Sequence, residues 1–234
     1  MIISDYIAID LETTGIRLSK DKIIEVGLLK VKDSHIIDTF SCVINPDMQV
    51  DDKILKLTKI SEYEIINAKR IYEVINHIVD FCEEYVLLGH NTIFDYSFVK
   101  KEANRAGLEF EKRGIDTYKL CKKVLPDNVR KNLTDACGYF GIERKNSHRA
   151  FSDAYYTHVL FQEIMKNFKT LEISPEAMKV KIKKFVPIRK RTKEDLQKLL
   201  NCHRIGCKVN IDLLSESEAK RMMDKIKSGS IDFT

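Results

Sequence analysis

A chain of 234 residues and 27.2 kDa, 44% hydrophobic and 32% charged with only 9 Gly and 4 Pro, has the composition of a folded domain with or without a small appendage, which excludes a low-complexity chain. No apolar run approaches the ~20 residues that span a bilayer, and the first ten residues lack a basic n-region and a small-residue cleavage site, so a cytoplasmic protein without membrane contact is expected. The net charge of +5 is uneven: residues 1–178 hold 25 Lys and Arg against 28 Asp and Glu, residues 179–234 hold 15 against 7, a basic tail that suits phosphates and equally describes a solvated surface.

Tyr6-Ile7-Ala8-Ile9-Asp10-Leu11 alternates as a strand does, and Thr13-Thr14-Gly15 closes it with turn chemistry. Ile23 to Val31 and Ile36 to Ile44, parted by Lys32-Asp33-Ser34-His35, continue it as a meander that Asn45-Pro46 ends. From Arg70 to Glu84 the period becomes helical, with Ile71, Val74, Ile75, Ile78, Val79 and Cys82 on one face. Val86-Leu87-Leu88 reads as a buried strand ending at Gly89-His90-Asn91, and Phe94 to Ala106 as a helix stopped by Gly107. Ile115-Asp116-Thr117 is a brief strand; Leu133 to Phe140 and Ala150 to Phe168 are helices. A meander followed by alternating strands and helices predicts an α/β domain over residues 1–170, a mixed five-stranded sheet flanked by helices.

Beyond Phe168 the composition shifts. Residues 171–191, basic from Lys179 to Lys193, are expected to form a linker, and residues 192–234 a small helical module. Thr192 is the expected N-cap of a helix carrying Leu196, Leu199 and Leu200; Ser215-Glu216-Ser217-Glu218 fits a capping box, with Gly229 as its stop. The module's role is open between holding nucleic acid, docking a protein and stabilising the domain. The six cysteines contain no CxxC pair and mostly lie in apolar stretches, which suits core positions in a reducing compartment. Cys202, His203 and Cys207 come close together, but they are one ligand short of a structural zinc site and lack its spacing.

Chemistry concentrates in three places. Asp10 and Glu12, two apart on a strand, project from one face and repel each other unless a cation stands in front; Mg²⁺ suits such hard oxygen ligands. The plain alternative is a pair of solvated acids. Asp95 follows Gly89-His90-Asn91-Thr92-Ile93-Phe94, where an acid in a first helical turn is favoured by the dipole alone, although Phe94 offers a ring for stacking. His148 and Asp153, in Ser147-His148-Arg149-Ala150-Phe151-Ser152-Asp153-Ala154, combine a loop imidazole with another first-turn acid.

Taken together, D-x-E at Asp10 and Glu12, H-N-x-x-F-D ending on Asp95, and H-R-A-x-x-D-A on His148 and Asp153 resemble the three motifs of the DnaQ-like, DEDDh 3′→5′ exonucleases, among them proofreading subunits of DNA polymerase III. Leu57-Thr58-Lys59-Ile60-Ser61 and Ile115-Asp116-Thr117 are weaker echoes, and the resemblance runs from about residue 4 to 168. It implies an RNase H-like fold and two divalent cations, Mg²⁺ or Mn²⁺, held by Asp10, Glu12, Asp95 and Asp153. It also implies His148 as general base, since an imidazole titrates at roughly 6.5 when unperturbed. Thr13, Thr14, Asn91 and Phe94 match positions that hold the terminal nucleotide. The implied partner is the 3′ end of single-stranded DNA, with a DNA polymerase or helicase subunit as a further partner. An RNA-directed relative of the RNase T or oligoribonuclease kind stays open, because the motifs do not read the 2′ position. So does a non-catalytic nucleic-acid-binding protein that keeps the fold.

Overall fold

The meander forms where the alternation predicts it, as β1 (Tyr6–Thr13), β2 (Ile23–Lys32) and β3 (His35–Asn45), paired antiparallel in sequence. This computed structural model describes residues 3–145, 147–182, 185–203, 205 and 210–229. Two short helices that the sequence period does not announce come next. α1 (Asp52–Thr58) is capped by Asp51, whose carboxylate accepts from the Lys53 N–H, and α2 (Glu62–Asn67) by a Ser61–Glu64 capping box. The two-residue β4 (Lys69–Arg70) leads into α3 (Ile71–Cys82), which buries Val74, Ile75, Ile78 and Cys82 of the predicted face, leaves its Ile71 and Val79 half-buried, and buries Phe81 besides.

β5 (Leu87–Gly89) joins β1 in parallel, and α4 (Thr92–Arg105) begins two residues before the expected Phe94. β6 (Arg113–Asp116) is shorter than the expected strand at its end. The Asp116 carboxylate accepts from the Tyr118 N–H and turns Thr117 into the first residue of a helix, α5 (Thr117–Val124). α6 (Leu133–Tyr139), α7 (Ala150–Asn167) and the two-residue β7 (Glu176–Ala177) follow. The sheet order is β4-β3-β2-β1-β5-β6-β7, so it has seven strands, not five; the short β4 and β7 extend its edges, and β7 forms within the stretch expected to be linker.

Alternation on β1 divides the core. Ile7, Ile9 and Leu11 face α3 and α4, whereas Tyr6 and Ala8 face Leu160, Phe161 and Ile164 of α7. Each such buried Leu, Ile or Phe contributes roughly 1.5–3 kcal/mol. α7 lies so close to β2 that a Cβ on Gly27 would sit 2.3 Å from the Ala150 carbonyl carbon, so only glycine fits there.

Contacts divide the chain into two compact units, Met1–Pro46 with Val50–Ile182, and Asp47–Gln49 with Lys183–Thr234. In the second, α8 (Lys190–Cys202) and α9 (Glu216–Lys227) enclose Leu196, Leu200, Ala219 and Ile226. Ser215 and Glu218 form the expected capping box. Thr192 is not an N-cap. α8 starts after Arg189 because Glu216 of α9 accepts the Arg189 N–H (3.0 Å), and the Thr192 hydroxyl, now inside the helix, donates to the same carboxylate (2.9 Å).

Cys82, Cys121 and Cys137 are buried, which pushes their thiols up to about 12, 12 and 11, while Cys202 is exposed. Cys207, the third member of the Cys202–His203 set, lies outside the described residues. Among the described residues no helix is long and apolar enough to cross a membrane.

Candidate active site

Asp10 and Glu12 stand on the α7 side of β1, near its carboxyl end. The pairing with β2 slips between Glu12 and Thr13, a bulge of the kind that redirects a strand beside a site. The turn beyond it is tied down: the Thr13 hydroxyl donates to the Gly15 carbonyl (2.7 Å), and the Thr14 hydroxyl accepts from the Lys22 N–H (3.0 Å). Asp95 comes from α4, on the other side of the sheet. Its Oδ1 accepts the Leu11 N–H (3.1 Å), which brings it to the strand between the first two acids. Asn91 opens α4 in the left-handed conformation (φ 76°), its N–H donating to Asp116 Oδ1 (2.9 Å), and Phe94 packs on Phe98 with ring centroids 4.9 Å apart.

Asp153 lies in the first turn of α7. That helix has no cap of its own; Glu25 of β2 supplies one. The Ala150 N–H donates to Glu25 Oε2 (2.9 Å), and the Arg149 guanidinium donates to Oε1 through Nη2 (2.8 Å) and Nε (3.0 Å). His148, exposed and at φ 63°, sits on the loop just before. One ligand atom each of Glu12, His148 and Asp153 lie within 4.8 Å of one another. Asp10 and Asp95 fall outside that group, but Asp10 feels the charge of Asp95, Asp153 and Glu12.

Burial, and then these mutual charges, raise the Asp10 carboxyl well above its usual range; burial does the same for Asp95. Glu12 is pushed up to about 8, by burial first and then by Asp153 and Glu25. Acids held at such a cost fit a divalent cation, since their carboxylate oxygens converge with little positive charge to offset them.

What positive charge there is was not foreseen from the sequence. Arg144, on the loop after α6 with its side chain 7% exposed, pairs with Asp153 Oδ1 and donates to the Thr134 hydroxyl (2.7 Å). Its Nε is buried without a hydrogen-bond partner among the described residues. Glu25 was likewise missed, and Arg149 was read only as part of a motif. An acid inside an apolar strand, as Glu25 is, was the one signal that pointed to a buried partner.

The exonuclease family profile matches residues 7–161. The chain is 33% identical over 169 residues to a PolC-type DNA polymerase III of Caldanaerobacter subterraneus subsp. tengcongensis, covering 72% of this chain and 12% of that one. It is 31% identical over 201 residues to the 3′-5′ exonuclease DinG of Staphylococcus epidermidis, covering 86% and 22%. It therefore spans only a small part of these relatives. The nuclease domain of 3′hExo, a DEDDh family member solved with rAMP, superposes with a TM-score of 0.62 at 18% identity, over 74% of this chain and 97% of that one, and so shares the fold. With D-x-E, H-N-x-x-F-D and H-R-A-x-x-D-A all inside the matched span and gathered at one end of the sheet, the chain belongs to the exonuclease family, in its DnaQ-like, DEDDh branch.

Proposed function

We propose that the chain hydrolyses phosphodiester bonds from the 3′ end of single-stranded DNA and releases 5′-mononucleotides, in proofreading, repair or DNA turnover. The observation that carries this reading is the convergence of Asp10, Glu12, Asp95, Asp153 and His148 on the carboxyl end of β1, with the carboxyls of Asp10, Glu12 and Asp95 driven toward protonation. Two divalent cations, Mg²⁺ or Mn²⁺, held by the four carboxylates would supply charge neutralisation at the scissile phosphate. His148, exposed on its loop, takes the proton of the attacking water. The water oxygen bonds to phosphorus, the bond to the 3′ oxygen of the preceding nucleotide breaks, and that oxygen leaves with a proton. Thr13, Thr14, Asn91 and Phe94 border the same strand end and hold the terminal nucleotide. Arg144 keeps Oδ1 of Asp153 occupied, so that Oδ2 is the oxygen left on the His148 side.

DNA is favoured over RNA by the polymerase relative; the rAMP bound to the 3′hExo domain favours the RNA reading. By the first of these relatives the domain works beside a polymerase. The test is to incubate the chain with 3′- and 5′-labelled DNA and RNA oligonucleotides of one sequence, with Mg²⁺, Mn²⁺ or EDTA. Stepwise shortening of DNA from the 3′ end, abolished by EDTA and by Asp10→Asn, is expected. No cleavage under any metal would leave the non-catalytic reading, and faster loss of RNA would reassign the substrate.

A further inference from the structure

Beside the catalytic cluster, and on the same face of the sheet, lies an open groove of ≈ 620 Å³ lined by Thr39, Ser41, Lys59, Arg149, Phe151 and Ser152, with Glu25 at its floor. Its position follows from the register. Asp10 pairs with Gly27, and Gly27 with Ser41, so Asp10 and Ser41 stand in one cross-strand row with side chains on one face, roughly 10 Å apart across two strand spacings. Glu25 pairs with Glu12 in a neighbouring row, and Arg149 follows His148 directly. The groove therefore begins where the cluster ends.

Its chemistry is that of a phosphate track. Small-molecule pockets are enclosed and mostly apolar; this trough is shallow and offers the hydroxyls of Thr39 and Ser41 and two cations, the Ser152 hydroxyl being given to the Lys145 carbonyl (2.8 Å). The one acid, Glu25, is spent on Arg149 and the Ala150 N–H. Arg149 commits Nε and Nη2 to that carboxylate and leaves Nη1 without a bond among the described residues. The Lys59 ammonium makes no ion pair among the described residues, and the Phe151 ring stands 37% exposed on the rim. Hydroxyls and cations take phosphate oxygens without reading sequence, and an exposed ring stacks on any base.

From this we infer that the groove is a binding track for the single-stranded segment upstream of the scissile bond, with Lys59, Thr39 and Ser41 contacting its phosphodiesters. This rests on the nuclease reading above and adds to it the path of the strand.

Lys59→Asn tests it cleanly, because Lys59 caps α1 in the left-handed conformation (φ 58°), which Asn tolerates. Ser41→Asp, at an exposed strand position, is a second and independent variant. Each is assayed on a dT oligonucleotide of about ten nucleotides, within the range of single-strand site sizes, and on the p-nitrophenyl ester of thymidine 5′-monophosphate, which has no upstream nucleotide. For the oligonucleotide, KM rises about 3–10-fold with kcat unchanged, and the salt dependence of binding becomes shallower by about one phosphate contact in Lys59→Asn. The ester is turned over as by the wild type. Unchanged KM for the oligonucleotide, or equal loss on both substrates, overturns the inference. Should the wild type cleave neither substrate, the proposed activity falls instead; anisotropy of the labelled oligonucleotide in EDTA still reads the groove, with weaker binding by both variants supporting it and equal binding overturning it.

Discussion

Glu12 ties the metal-free protein to pH. Its carboxyl titrates at about 8 in the fold against 4.5 for the free side chain, so between those values the folded state holds more protons than the unfolded one. Stability is therefore fullest at acid pH and is lost as pH rises toward 8. In EDTA the wild-type Tm is expected to fall between pH of about 5 and about 8, and to fall less in Glu12→Gln; a flat profile would refute the shift. Divalent cations reverse the trend, because they displace the same protons. His148→Asn, chosen because Asn suits φ 63°, should lower kcat by ~10²–10⁴-fold while Mn²⁺ binding, read by calorimetry, persists. At this scale the sequence was legible where spacing carries the information: Asp10 and Glu12 two apart on a strand, His148 and Asp153 flanking a helix start. It was not legible at Arg144, whose partner depends on how a loop returns to α7, nor at the Glu25–Arg149 pair, whose members lie 124 residues apart.

Among the elements, α7 is the one whose position the site can least afford to lose. It rests on bare backbone at Gly27, one strand away from Asp10. In Gly27→Ala a methyl group meets the main chain of Ala150 and Phe151, so the helix must shift. Overpacking of this kind costs roughly 1–3 kcal/mol, and a displacement of about 1 Å at Asp153 is expected to cut kcat ~10²-fold. A variant that unfolds at lower denaturant but cleaves normally would show that α7 yields without moving its first turn. Long amphipathic helices such as α3 were readable because several apolar residues repeat on one face. α1, α2 and α5 were not, since six to eight residues give hardly two turns of period and none of the three ends before a glycine as α6 does at Gly141; at α2 the Ser61–Glu64 box, with the same signature as Ser215–Glu218, was the legible signal.

For the molecule as a whole, the described cations of the second unit, on α8 and α9, suggest a division of labour: chemistry in the first unit, added grip on nucleic acid in the second. Removing residues 183–234 should leave kcat on a short oligonucleotide unchanged while raising KM on a longer one and flattening its salt dependence. An unchanged salt slope would instead assign those helices to protein contacts or to stability. The sheet's sequence-distant pairings, β5 beside β1 and β7 beside β6, were beyond reach of local patterning, because a three-residue and a two-residue strand carry too little alternation to choose a partner.

One more consequence follows from how the acids are gathered. Asp10, Glu12 and Asp95 all precede residue 96, whereas His148 and Asp153 arrive only with α7 and the loop before it. A chain still emerging from the ribosome would thus carry three of the five proposed site residues yet remain harmless to nearby nucleic acid, and cleavage would switch on when α7 docks. Ribosome-stalled chains ending before Ala150 should be inert, and chains extending past Asn167 and clear of the exit tunnel should be active.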